Sequence, residues 1–240
     1  LYILNELKEE LGITLVGAHL NHCLRGGESD KDEAYAKKTC ESLNIDFYSK
    51  KVDIHRISKE KNLSCEMAGR EVRYEFFQEL IIELNANKVA LAHNANDQAE
   101  TILMRIMRGT GIEGMVGIKP VRDEIYVRPI LRLTRKEIEK YCSNNNINPR
   151  IDKSNLENIY ARNKVRLEII PYMEENFNKD IINTLNRLSN LVKKDNEYLV
   201  SISEKEYRKH CEISQQRVII NKSAFSLHEA ILSRIIRSAL

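Results

Sequence analysis

The chain reads as an α/β protein: an open, mostly parallel sheet with helices on both faces, followed by a partial helical domain. Three observations predict this. Short apolar strands alternate with longer helical patterns from the start to about Met107, the pattern of a parallel sheet covered on both sides. Residues with helix-capping chemistry open several of those helices. Beyond about Asn176 the strand signals thin out and a long, charged helical pattern takes over.

The elements follow in order. Apolar spacing predicts a helix over Leu1–Leu11 and a strand over Ile13–His19. Asp30–Leu43 reads as a helix with Ser29 as its N-cap, and Ile45–Val52 as the second strand. Ser64 caps a long helix to Leu84, Lys88–Ala92 is a third strand, and Asn96 caps a helix to Met107. Glycines 109, 111, 114 and 117, then Pro120, make 109–121 a loop with an irregular turn, before a short strand over Ile125–Ile130. Thr134 and Glu137 form a capping box for a helix to Asn145. Arg162–Ile170 is a helix stopped by Pro171. Asp180–His210 is a long helix, Val218–Ile220 a short apolar run, and Ser223–Leu240 a last helix. The expected division is a catalytic domain over 1–176 and the start of a helical domain over 177–240.

The totals narrow the class. With 38 Lys and Arg against 35 Asp and Glu, the net charge of +3 is too small to demand a polyanionic partner. No window approaches the ~18 to 20 apolar residues of a membrane span, and no signal segment is present. The five cysteines (Cys23, Cys40, Cys65, Cys142, Cys211) form no Cys-x-x-Cys pair, which argues against a disulfide framework or zinc ribbon and suits a cytoplasmic, reducing location. The chain starts on Leu1 and ends inside an apolar pattern at Leu240, so it is expected to be part of a longer protein.

Four stretches carry chemistry. In His93-Asn-Ala-Asn-Asp97-Gln-Ala-Glu100, two acids share one side of a helix's positive end, just after a strand. Ligands of open parallel sheets bind at that end of the strands. Helical spacing puts Glu66, Arg70, Arg73 and Tyr74 on neighbouring positions; they make either a solvated ion-paired face or an arginine fork for phosphate. His19-Leu-Asn21-His22-Cys23 ends a strand, and lacking a fourth ligand at sensible spacing it reads better as a polar pocket wall than as a metal site. Basic segments at Arg128, Arg132 and Arg135, and at Arg162, Asn163 and Arg166, point to a phosphate-rich partner of RNA type.

Taken in order, HLNHCLRGGESDKDE (19–33), EMAGREVRYEFF (66–77), AHNANDQAETILMRIMRGTGIEGMVGI (92–118), VRPILRLTRKEIEKYC (127–142) and DKSNLENIYARNKVR (152–166) resemble the tRNA(Ile)-lysidine synthase family of PP-loop ATP pyrophosphatases. The resemblance implies an adenine-nucleotide α-hydrolase-like, Rossmann-like fold. It also implies a ligase reaction in which ATP activates C2 of the wobble cytidine of a CAU-anticodon tRNA(Ile). Free L-lysine then displaces AMP to give lysidine, pyrophosphate having left earlier. By the same resemblance Asp97, Glu100 and Arg73 are catalytic; the acids either orient and deprotonate the lysine amine or help hold the Mg2+ that accompanies ATP, Asp97 being the candidate ligand. His19, Asn21, His22, His93, Arg70, Gly109 and Gly111 line the nucleotide site. Arg128, Arg162, Asn163 and Arg166 meet tRNA or shape the site. A homodimer stays open.

The family's Ser-Gly-Gly-x-Asp-Ser loop should precede Leu1, so the chain by itself is expected to be inactive. Two rival readings stand beside this one: a non-catalytic RNA-binding remnant of the same fold, and a sibling PP-loop enzyme such as a thiolase. The lysidine synthase reading expects His93, the two acids and Arg73 to face one cleft.

Overall fold

The structure, a computed structural model, describes residues 1–150, 161–214 and 217–240. Residues 152–160 of the family-like 152–166 stretch thus lie outside the described residues. In chain order the elements are α1 (Tyr2–Glu6), α2 (Lys8–Leu11), β1 (Val16–Asn21), α3 (Gly27–Ser42), β2 (Asp46–Lys51), α4 (Ile54–Glu60), α5 (Cys65–Glu83) and β3 (Val89–Ala90). They continue as α6 (Ala95–Met107), α7 (Ile112–Met115), β4 (Val121–Arg122), β5 (Tyr126–Val127), α8 (Arg135–Asn144) and α9 (Ala161–Lys164). A π-turn (Val165–Ile169) runs into α10 (Ile170–Asn176), followed by α11 (Ile181–His210), β6 (Cys211–Ser214), β7 (Arg217–Ile220), a 3₁₀ turn (Lys222–Ser226) and α12 (Glu229–Ala239).

Contacts divide the chain into two compact units. The first holds Leu1–Ala90, Asp123–Val127 and residues 148–150. In it β1 and β2 pair in parallel, in register from Val16↔Asp46 to Asn21↔Lys51, and α3 is the crossover that parallel pairing requires. Strands β3 and β5 also pair in parallel. Ile54, Ala68 and Val72 form a core against which Leu20, Val52 and Ile57 pack, so α4 and α5 lie on β1. Ser64 caps α5 as expected, its hydroxyl accepting from the Met67 N–H at 3.2 Å.

The second unit holds Leu91–Arg122, Arg128–Ile147 and the described residues from 161 onward. Its core joins Ala99 and Ile102 of α6 to Val165, Ile170, Ile181 and Leu185. Gln98 ties three segments together: its amide donates to the Val116 carbonyl (3.1 Å) and Ser189 Oγ (3.0 Å), while its oxygen accepts from the Ile118 N–H. Thr134 and Glu137 make the expected capping box of α8. β6 and β7 pair antiparallel, one strand more than the apolar run at 218–220 had indicated.

Several local expectations are corrected. The first helix breaks at Leu7 into two short pieces. Helix α3 begins at Gly27 rather than after Ser29, because Gly26 at φ +51° turns the chain directly into it. Ser29 instead lies within the helix, accepting from the Arg25 N–H. The cap of α6 is Asn94, not Asn96; Asn96 accepts from the Arg135 N–H instead. Pro171 does not stop a helix. It sits in the first turn of α10, where a missing N–H matters least. The last helix starts at Glu229, after a 3₁₀ turn.

Candidate functional site

In the first unit the carboxyl end of β1 brings polar residues together. Asn21 is only 2% exposed. Its amide donates to Asp30 (3.0 Å) and Glu33 (2.9 Å), and its oxygen accepts from the Cys23 N–H (3.0 Å). This amide therefore fixes the 22–26 loop on α3. Cys23 holds φ +54° there, a conformation that needs such support.

Next to it His22 Nε2 lies 3.4 Å from Arg73 Nη2. Burial, then the Arg73 charge and His19, push the His22 imidazole down to about 4. The ring is neutral at physiological pH and accepts the guanidinium's hydrogen. Gly69, one turn before Arg73 on α5, is what admits the ring: a Cβ there would stand 2.9 Å from His22 Cε1. His19 is also lowered, by burial first, and its ring lies tilted 6.5 Å from Phe47. Arg70 is exposed, with its guanidinium carbon 5.0 Å from the centre of the Tyr74 ring. Among the residues expected to bind nucleotide, His19, Asn21, His22, Arg70 and Arg73 thus gather in this unit.

In the second unit the acids stand at the start of α6. Asn94 accepts from the Asn96 and Asp97 N–H groups (2.9 and 3.1 Å), and Asp97 Oδ2 accepts from the Asn94 N–H (3.0 Å). That reciprocal box fixes Asp97 at the helix's positive end. Two arginines converge on the pair from α9 and the π-turn. Arg162 donates through Nε to Glu100 Oε2 (2.7 Å) and through Nη2 to Asp97 Oδ1 (3.0 Å). Arg166 grips Glu100 along one edge, Nε to Oε1 (2.6 Å) and Nη2 to Oε2 (3.0 Å), and reaches Asp97 Oδ1 at 3.3 Å. The Glu100 side chain is 1% exposed, Asp97 17%, and each arginine 34%. A carboxylate buried to that degree needs both partners. Hydrogen bonding to Glu100, its largest influence, raises the Arg166 guanidinium above its ordinary value.

Arg128 faces inward, 8% exposed. Its Nε donates to His93 Nδ1 (3.3 Å) and its Nη1 to the Lys119 carbonyl (2.6 Å). His93 is therefore an acceptor at Nδ1. Asn163 is buried as well. Gly109, at φ +76°, and Gly111 have no atom within 4 Å of where a Cβ would stand, so their backbone is open to close approach. Sequence reasoning assigned no part to Gln98, and Arg105 serves the loop rather than a ligand. Arg105 donates to the Gly114 and Gly117 carbonyls (2.9 and 3.0 Å) and, with Gln98, pins the glycine-rich loop.

Among the described residues no group of three or more His, Cys, Asp or Glu could hold a metal ion. Among the described residues no helix is long and apolar enough to cross a membrane.

The profile of the PP-loop domain family matches residues 1–173. The tRNA(Ile)-lysidine synthase of Clostridium tetani is 54% identical over 240 residues, all of this chain and 51% of the relative. That of Clostridium perfringens is 58% identical over the same span, again 51% of the relative, and that of Geobacter sulfurreducens is 38% identical over 86% of this chain and 44% of its own. The chain thus spans about half the length of the first relatives it matches. In fold it is similar to the U34-tRNA thiolase NcsA from Methanococcus maripaludis with its [4Fe-4S] cluster, at TM-score 0.59 and 17% identity over 79% of this chain and 67% of that one. Parallel strand pairs, helical crossover and profile agree with the adenine-nucleotide α-hydrolase-like fold expected from the sequence. The chain belongs to the PP-loop domain family.

Proposed function

We propose that the protein to which this chain belongs is a tRNA(Ile)-lysidine synthase. It joins free L-lysine to C2 of the wobble cytidine of the CAU-anticodon tRNA(Ile) through an adenylated intermediate, releasing pyrophosphate and AMP. The observation that carries this reading is 54 to 58% identity, over the whole chain, to relatives named for that activity. Because the chain covers about half of those relatives, the activity is assigned to the parent protein and little is expected of the chain alone.

The residues have distinct parts to play. Arg73, beside a neutral imidazole and on an exposed helix position, meets phosphate of ATP or the adenylate and offsets charge as it develops. The open backbone at Gly109 and Gly111 admits the nucleotide. The lysine amine, with reference pKa near ~10.4, must lose a proton to attack. Asp97, the more exposed acid of the pair, orients that amine. Arg128 and Asn163, both inward-facing, shape the site rather than grip RNA. Magnesium is the expected companion of ATP. Either part for Asp97, amine contact or magnesium ligand, rests on the lone pair left at Oδ2, since Oδ1 accepts from two guanidiniums and Oδ2 from a backbone N–H.

A sulfur-transfer reaction is less well supported. The thiolase similar in fold carries an iron–sulfur cluster, whereas the five cysteines here are free and, among the described residues, belong to no group of three or more His, Cys, Asp or Glu that could hold a metal ion. The deciding experiment incubates the parent protein with ATP, tRNA(Ile) transcript and either lysine or sulfide, then reads the nucleosides by mass spectrometry. Lysidine with lysine is expected. A thiolated product, or no lysine-dependent product, overturns the proposal.

A further inference from the structure

We infer that Arg162 and Arg166, held by the two acids, form a fork for a small oxyanion of the phosphoryl or carboxylate type. Each guanidinium is planar and carries five N–H donors. In both residues Nε and Nη2 face Asp97 and Glu100. Planarity then turns Nη1 to the opposite edge, and no hydrogen bond joins either Nη1 to another group among the described residues. The side chains are 34% exposed while Glu100 beneath them is 1% exposed, so the acids form the floor and the arginines reach the open side.

Two like charges share the same acceptors: both Nη2 atoms bond Asp97 Oδ1, and both arginines bond Glu100 Oε2. The paired acids thereby keep two guanidiniums adjacent and oriented before any ligand arrives, which is what a directional oxyanion site requires. Two acids against two bases leave the cluster without net charge. It therefore lacks the long-range pull that draws a nucleic-acid backbone, and what it offers is geometry. Glu100 is on this view a positioning residue rather than a base.

The fork stands on the second unit alone and does not depend on the lysidine reading. A saturable anion site in a protein that makes no lysidine leaves the fork intact, and lysidine formation without such a site leaves only the reaction.

The test is a titration of the 240-residue chain, ¹⁵N-labelled at arginine, with inorganic phosphate, pyrophosphate, acetate and L-lysine, followed on the Arg162 and Arg166 side-chain resonances. Saturation in the ~1 mM range by at least one anion is expected. Saturation by phosphate or pyrophosphate alone assigns a nucleotide phosphate, and by acetate and lysine alone an amino-acid carboxylate. The double variant Arg162→Lys/Arg166→Lys keeps the charge but loses the planar edges; compared with the unsubstituted chain by isothermal titration calorimetry, it should bind at least about tenfold more weakly. Arg56→Lys, at an exposed ion pair with Glu60, should leave these two resonances responding as before. No saturation in the unsubstituted chain, equal binding by the double-lysine variant, or a response only to an oligonucleotide overturns the fork. The first outcome needs no variant and so no assumption about folding.

Discussion

Arg166 lies edge-on to Glu100, its Nε and Nη2 bonding separate carboxylate oxygens at 2.6 and 3.0 Å. The contact joins residues 66 positions apart and brings charge into the interior beside Ile102 and Val165. A pair in this setting is cheap to keep and costly to halve.

Glu100→Ala should therefore destabilise the chain by about 2 to 3 kcal/mol, below the full cost of breaking a buried pair because the arginines stay one-third exposed. Urea unfolding of the two proteins measures it. A loss below about 0.5 kcal/mol would mean that the pair is no more than a surface contact.

The depressed titration of His22 sets a pH window. Unfolded, this histidine takes up a proton near 6.5; folded, it does so only at about 4. The unfolded state thus binds more protons between those values, and stability falls as the pH drops from 6.5 towards 4. Above 6.5 the contribution is constant. Thermal unfolding across that range should show a shallower decline in His22→Gln than in the unsubstituted chain, and parallel declines would refute the assignment.

Gly69→Ala puts a methyl group 2.9 to 3.0 Å from the His22 ring. The ring must move off Arg73, costing about 1 to 2 kcal/mol and letting the His22 titration climb back towards its ordinary value. Proton NMR of the imidazole reads the second effect directly. An unmoved titration would show that the ring has room to spare.

Asn94→Ala removes the acceptor of two N–H groups at the start of α6 and should cost about 1 to 2 kcal/mol. Asn96→Ala leaves that cap intact and should cost less. The reverse order in chemical denaturation would return the cap to Asn96.

Local chemistry explains which features the sequence disclosed. The Thr134–Glu137 box and the Ser64 cap involve partners three residues apart, so residue type and spacing suffice to find them. Asn94 and Asn96 are both good caps, and only the tertiary contact of Asn96 with the Arg135 N–H decides between them. The acids at 97 and 100 were legible as a pair, but their partners lie more than 60 residues on, a distance no helical period encodes. Arg128 looked like a basic surface residue because sequence does not reveal that its guanidinium is turned onto His93 and a carbonyl. Gln98 drew no notice at all, since a glutamine between two acids carries no spacing signal for a carbonyl 18 residues away.

The π-turn at Val165–Ile169, closed by the Ile170 N–H on the Val165 carbonyl, amounts to one surplus residue in an otherwise α-helical run. Relaxing the segment to regular helix at its present length would swing everything after it by about 100°. Ile170 would leave Ala99 and Ile102 while Arg166 stayed behind on Glu100. Chain length in this stretch is thus locked to the phase between the ion-paired face before it and the apolar face after it.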